Sequence, residues 1–346
     1  MDRNPRLSIG LPVYNGEKYL AGSIEALLGQ TYTDFELIIS DNASTDGTAD
    51  ICKEFLSLDS RIRYFRQPVN IGSAPNHNFT FQQARGELFK WAASDDLYAR
   101  TLLERCVAAI DEHPEAVLAH SWTAAIDDAD NLVQALEYPL ETNSPSAPAR
   151  FCSMLFGTGE DDQGLIRADD QYGVIRSEVL RKIGPQGSFY HSDRVIMADL
   201  VLHGPFYQVP EWLYFRRDHS GRPQHATPSV RGWCANLDPN RANRFRHPAA
   251  RLLAEYLLGY AKAIRKAPLS NQDRRACYGH LVRWTASRFL PALVRAARGG
   301  ILATNSPVPV PPPPSGLSLD VVVAKRNGQD HSVQAMASNS EPVPPL

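Results

Sequence analysis

The chain has few cysteines and no C-x-x-C pair: Cys52, Cys106, Cys152, Cys234 and Cys277 are odd in number and scattered. That pattern gives no zinc or dithiol redox motif and predicts a reducing, cytoplasmic setting. Long apolar runs are missing as well, since no stretch reaches the roughly 18 residues of a membrane-spanning helix. The opening residues Met1 to Arg6 are polar and lead straight into an apolar segment, so no signal-type apolar region is expected. A charge of one sign is also lacking: the formal net charge is -2, which argues against nucleic acid as a partner. No G-x-G-x-x-G follows a strand candidate, which counts against a dinucleotide-dependent oxidoreductase. No internal repeat is present.

What remains is a chain of 346 residues, 43% hydrophobic and 21% charged, long enough for one sizeable core and an appendage. From Leu7 to about Phe215, short β-branched or aromatic runs alternate with helical periodicity. This is the signature of βαβ units, and it predicts an α/β fold with a mostly parallel sheet flanked by helices. Strands are expected at Leu7 to Pro12, Phe35 to Ser40, Ile62 to Arg66, Leu88 to Ala92, Val117 to Trp122 and Tyr172 to Arg176. A last strand over Tyr207 to Arg217 is expected to be broken by Pro210. Leu20, Ile24, Leu27 and Leu28 share one helical face, as do Ile51, Phe55 and Leu58.

The expected organisation is a catalytic domain over 1–225, a helical, basic C-terminal region over 226–303 and a Pro-rich disordered tail over 304–346. Residues up to about 100 form the first half of the catalytic domain and 101–225 the second. In the helical region, Val282, Ala286, Phe289, Leu290, Leu293 and Val294 fall on one stripe. Between Arg251 and Arg298 ten Lys or Arg stand against only Glu255 and Asp273. Stripe and charge together suit either a helix lying on an anionic membrane or one packed on the catalytic domain with solvated arginines.

Two turn-rich clusters fall at the carboxyl ends of strands, where open α/β sheets bind ligands. The first is Ser40-Asp41-Asn42-Ala43-Ser44-Thr45-Asp46-Gly47-Thr48, which reads equally as a loop before an N-capped helix. The second is Ser94-Asp95-Asp96. Adjacent carboxylates repel unless a cation or a helix N-terminus neutralises them. Either is available: residues 97–110 look helical with Ser94 or Asp95 as cap, and paired hard oxygens beside substrate phosphates suit Mg²⁺ or Mn²⁺.

Taken in order, Leu11-Pro12-Val13-Tyr14-Asn15, Tyr19-Leu20, Gln30-Thr31-Tyr32, Asp41 to Thr48, Asn70-Ile71-Gly72, Ala84-Arg85-Gly86-Glu87 and Ser94-Asp95-Asp96 resemble the opening of family-2 glycosyltransferases with the GT-A fold. The resemblance is strong over 6–100, weaker to about 220 and absent beyond. It implies an inverting transfer of sugar from a UDP- or dTDP-sugar, rather than a GDP-sugar, to a hydroxyl of a glycan or glycolipid in cell-envelope glycan biosynthesis. By the same resemblance Pro12, Tyr14 and Asn15 line the nucleotide pocket and Asp41 accepts from the base imino group. Asp95 contacts the donor, and Asp96 binds the divalent metal, Mg²⁺ or Mn²⁺. Two departures stand out: Ala43 replaces a frequent acidic residue, and Ser94 replaces the first Asp of a D-x-D element.

In the second half, the family's acidic residue at a helix start corresponds to Asp193 in His191-Ser192-Asp193-Arg194, which implies Asp193 as catalytic base. Its alternative role is to cap that helix. Asp161, Asp162, Asp169 and Asp170 are competing carboxylates, expected in solvated loops or acceptor contacts. Tyr214 to Ser220 resembles a further segment in which His219 completes the metal site and one arginine touches the diphosphate. His77, His203 and His225 have no ligating spacing, and Trp212 and Tyr214 are either a sugar floor or core. Two rivals stay open. A nucleotidyltransferase on sugar phosphates lacks its Gly-rich phosphate loop here. A non-catalytic nucleotide-sugar or glycan-binding protein of the same fold is told apart by donor hydrolysis.

Overall fold

A computed structural model of the chain describes residues 4–135, 141–156, 169–219 and 229–297. Asp161, Asp162, His225 and the expected tail lie outside the described residues. The strands are β1 (Leu7–Val13), β2 (Phe35–Asp41), β3 (Ile62–Arg66), β4 (Leu88–Trp91), β5 (Leu97–Tyr98), β6 (Leu118–Ile126), β7 (Leu132–Ala135), β8 (Val174–Arg176) and β9 (Phe206–Arg217). The helices are α1 (Leu20–Leu28), α2 (Thr48–Leu58), α3 (Ser73–Gln82), α4 (Leu102–Glu112), α5 (Ala147–Phe156), α6 (Ser177–Ile183) and α7 (Ser192–His203). Three more follow: α8 (Val230–Leu237), α9 (Ala249–Lys266) and α10 (Asn271–Ala297).

One sheet runs in the order β3-β2-β1-β4-β8-β6-β9-β5, with β7 paired to β6. It is parallel through β3, β2, β1 and β4, and mixed beyond, because β8 enters antiparallel between β4 and β6. Every residue of β1 and β2 is buried, which is why both read as continuous apolar runs rather than alternating ones. Gly10 lets α3 approach β1 closely, since a Cβ there would sit 2.4 Å from Thr80 Oγ1. Of the three residues placed on one face of α2, Phe55 is buried and Leu58 is exposed.

Two expectations need correction. Pro210 does not break the last strand. Ser121 pairs with Val209 and Trp122 with Trp212, so Pro210 and Glu211 bulge out and β9 runs on to Arg217. Proline, without an amide hydrogen, is tolerated at such a bulge. Residues 97–110 are not one helix: Leu97 and Tyr98 pair with Phe215 and Tyr214, and α4 begins only at Leu102. Burial of Leu97 and Tyr98 in the sheet outweighs their helical spacing, so neither Ser94 nor Asp95 caps a helix.

The C-terminal helices divide into a buried and an exposed face. Val282 is exposed, and the buried face of α10 runs through Cys277, Leu281 and Trp284. These join Tyr256, Tyr260 and Ile264 of α9, Phe151 and Leu155 of α5, and Val195, Ala198 and Leu202 of α7 in one apolar cluster. The helical region therefore shares a core with the second half of the sheet domain. At the other end, α8 abuts the loop before α3: a Cβ on Gly72, whose φ is +90°, would lie 2.4 Å from Leu237 O.

Candidate active site at the carboxyl edge of the sheet

The carboxyl ends of β1, β2, β4, β6 and β9 meet at one edge, and the motifs of the first half are fastened there to one another. Asn15, with φ 50°, donates its amide to Ser44 Oγ at 2.9 Å and accepts from Thr45 N at 2.9 Å. Gly16 N donates to Thr48 Oγ1 at 2.8 Å. Asn42 accepts from Ile71 N at 2.9 Å and donates to Gly72 O at 3.2 Å, which ties the Asn70-Ile71-Gly72 segment to the loop after β2. Much of the motif content thus builds the loops themselves. Ala43 sits among them with φ 61°, a left-handed conformation that costs a non-glycine residue on the order of 1 kcal/mol.

Asp41 is the anchor of this arrangement. It has no exposed surface, its Oδ1 accepts from Ser44 N at 2.8 Å, and its Oδ2 accepts from the Tyr64 hydroxyl at 2.9 Å. Burial, with the Asp41 carboxylate next in effect, pushes the Tyr64 hydroxyl well above its usual pKa, so it stays a donor. Pro12 is buried in β1 opposite Ser40, whereas Tyr14 is about half exposed at 49%.

At the end of β4 the two carboxylates divide. Asp96 is fully buried; Oδ1 accepts from Arg217 N at 2.9 Å, and Oδ2 accepts from the Tyr214 hydroxyl. Asp95 faces outward, with Oδ2 3.0 Å from His219 Nε2. Arg217 clamps this corner, donating from Nε to Asp95 O and from Nη1 to Asp127 O, each at 2.8 Å, and pairing with Asp130. Tyr19 packs against both residues, its ring centroid 5.1 Å from that of His219 and 4.6 Å from the Arg217 guanidinium carbon. Beneath Asp96 lies Lys90, buried among Tyr98 and Tyr214 and donating to Tyr172 O. Burial pushes its pKa down to about 8.

Of the expected ligand pair, Asp96 is held by Tyr214 and Arg217, and His219 lies beside Asp95. An octahedral ion with ligands about 2.1 Å away at right angles separates them by about 3 Å. The Asp95–His219 spacing and its oxygen-plus-imidazole donor set thus fit Mn²⁺ or Mg²⁺. Among the described residues no group of three His, Cys, Asp or Glu forms a metal cage. An ion here would need oxygens from another molecule.

Asp193 lies in the first turn of α7, but the N-cap is His191, with φ 54°, and no side chain caps the helix. The capping role thus falls away, and Asp193 Oδ1 is buried without a hydrogen-bond partner. The start of α7 is tied to α3: Asn78 donates to Gln186 O at 2.8 Å and accepts from Gln186 N at 2.9 Å, and Gln186 donates to Ser192 Oγ at 3.2 Å. His77 of α3 feels the Asp193 charge; burial holds this histidine below its usual pKa.

Asp170 is not solvated but buried, 3.3 Å from His120. Tyr214 and Trp212 belong to the core, Tyr214 stacking on Tyr98 with centroids 5.7 Å apart. Lys90 is the residue of this corner that the motifs do not include. A lysine within the apolar run Leu88-Phe89-Lys90-Trp91 was the one clue. A cleft of about 560 Å³, lined by Glu115, Arg176 and His203 among others, opens near the amino end of β6 and is separate from this site.

Comparison with known proteins adds sequence and fold relatives. The model of the family described as "Glycosyl transferase family 2" matches residues 8–184. The chain is 34% identical over 116 residues to glycosyltransferase GlyG of Streptococcus pneumoniae serotype 4, covering 34% of this chain and 38% of that protein. It is 29% identical over 208 residues to chondroitin synthase of Escherichia coli, covering 59% and 30%. The chain thus spans well under half the length of these relatives. Among solved structures, S. aureus TarS 1-349 in complex with UDP-GlcNAc superposes with a TM-score of 0.58 at 16% identity, over 82% of this chain and 73% of that one. Mannosyltransferase PcManGT from Pyrobaculum calidifontis, in complex with GDP-Man and Mn²⁺, gives 0.50 at 16% identity, over 87% and 77%. At such identities the likeness is one of fold.

Proposed function

The chain belongs to glycosyl transferase family 2, and on that premise we propose that it moves a sugar from a nucleotide-diphosphate sugar to an acceptor hydroxyl by single displacement with inversion. The observation that carries this reading is the outward Asp95–His219 pair, held by Arg217 at the same sheet edge as the Asp41 loop. That edge offers a nucleotide end built on β1 and β2 and a diphosphate end built on β4 and β9. TarS, a fold relative, was solved with UDP-GlcNAc, which supports a UDP-sugar donor.

Within this reading Asp95 and His219 are the residues that would hold Mn²⁺ or Mg²⁺. When bound, the ion supplies Lewis-acid neutralisation of the departing nucleoside diphosphate. Arg217 fixes the backbone and orientation of Asp95; Tyr19 keeps His219 from swinging away. Asp193 takes the proton from the acceptor hydroxyl as that oxygen attacks the anomeric carbon. The acceptor is a hydroxyl of a glycan or glycolipid, in keeping with the chondroitin synthase relative.

Calorimetric titration with UDP, dTDP and GDP tests the assignment. Binding of a pyrimidine diphosphate is expected to be strong with Mn²⁺ and at least tenfold weaker in chelator. Equal affinity in both conditions would refute it. Asp41→Ala is expected to lower that affinity at least tenfold, through loss of a charge-assisted bond to the base of roughly 1.5–3 kcal/mol. It should also lower the melting temperature, because Ser44 N and the Tyr64 hydroxyl lose their acceptor. Unchanged affinity would confine Asp41 to loop building.

A further inference from the structure

The exposed side chains of α9 recur with helical period: Arg251, Ala254, Leu258, Lys262 and Arg265. On α10 Arg275, Gly279 and Val282 are among the exposed residues. The two helices are antiparallel neighbours, Tyr278 donating its hydroxyl to Ala261 O at 3.3 Å. Leu258 is 64% exposed and Val282 69%, so each exposed face carries a large apolar residue among cations. The segment Arg244-Phe245-Arg246 precedes α9 and is fastened to it, Arg251 Nη1 donating to Arg246 O at 2.9 Å. Phe245 is 83% exposed, the most exposed of the large hydrophobic side chains described.

Acidic groups do not offset these cations. The two acids in α9 and α10 are Glu255, held by Arg241 and Arg251, and Asp273, which accepts from Ser270 Oγ at 2.8 Å. The two helices carry nine Lys or Arg against these two acids, in a chain whose net charge is -2. Cations alone would suit any polyanion. Phe245, Leu258 and Val282 protruding among them suit a surface with hydrocarbon beneath its phosphates. We propose that the outer face of α9 and α10, with Phe245 beside it, docks on an anionic lipid bilayer. This face shares no residue with the carboxyl edge, so the proposal stands apart from the transfer reaction.

Co-sedimentation of the full chain with sucrose-loaded vesicles tests it, using phosphatidylcholine alone and a three-to-one mixture with phosphatidylglycerol. Binding is expected only to the mixed vesicles at low salt, and to weaken at least tenfold in high salt. Each cation near the surface is worth roughly fivefold. Lys262→Glu with Arg265→Glu should therefore cost more than tenfold, and Phe245→Ser several-fold. UDP affinity and melting temperature should stay unchanged in these variants. Absence of pelleting, equal binding to both vesicle types, or full binding by the charge-reversed variant would overturn the proposal. So would salt-sensitive binding to duplex oligonucleotide, or dimerisation lost in Leu258→Asp, if either occurred without pelleting. Vesicle binding without sugar transfer would count against the proposed function alone.

Discussion

Asp193→Asn is expected to lower turnover by roughly a hundredfold or more, the scale of a lost general base, while leaving donor affinity and melting temperature nearly unchanged. The structure sharpens this test. Asp193 does not cap α7, because His191 holds the N-cap position and no cap hydrogen bond is made. Its Oδ1 is buried without a partner, so exchange for an amide removes no hydrogen bond at that atom. The loop before it is held to α3 by the reciprocal Asn78–Gln186 pair, which involves neither Asp193 oxygen. Stability loss is therefore a poor explanation for any fall in rate. Near-normal turnover would place the base elsewhere, and Asp170, buried against His120, would be examined next.

The second large effect separates the neighbouring carboxylates. Asp95→Ala and His219→Ala are each expected to reduce metal-dependent donor binding by about a hundredfold, at the upper end of what disturbing a metal's surroundings costs, with little change in melting temperature. Both side chains are partly exposed, and their mutual contact stabilises the fold little. Asp96→Ala should do the reverse. It strands Arg217 N and the Tyr214 hydroxyl in a buried site, at a cost of roughly 2–4 kcal/mol of stability. Lys90 below would also lose a nearby countercharge. Comparing thermal melts with Mn²⁺-dependent UDP titrations across the three variants decides the matter. A stable Asp96→Ala protein without metal response, beside a responsive Asp95→Ala protein, would restore the metal to Asp96.

That division between Asp95 and Asp96 shows where the sequence stopped being informative. Periodicity and turn residues located β1 to β4 to within a residue or so, because β1, β2 and β4 are buried throughout and all four are bounded by turn-forming loops. It misplaced the start of α4 because Leu97 and Tyr98 have helical spacing yet pair with β9, a partner more than a hundred residues away. The same long-range pairing brings Tyr214 and Arg217 onto Asp96 and so buries it. Two adjacent aspartates look alike in sequence; which one faces outward is decided by a distant strand. In the C-terminal region Val282 of the expected stripe is exposed, and a neighbouring face of α10 packs on the domain instead. Cys277, Leu281 and Trp284 had the bulk to fill the core against α5 and α7. The Asp41 loop was legible as a motif, but its main tenants proved to be one another.

This edge is expected to bind a nucleotide sugar through Asp95, His219 and a divalent ion for direct transfer. Release of nucleoside diphosphate, measured across UDP-, dTDP- and GDP-sugars with Mn²⁺, Mg²⁺ or excess chelator, tests it most directly. Release is expected from a pyrimidine-nucleotide sugar, to require the divalent ion and to be lost in Asp95→Ala. Undiminished turnover in excess chelator, or in Asp95→Ala, would contradict it.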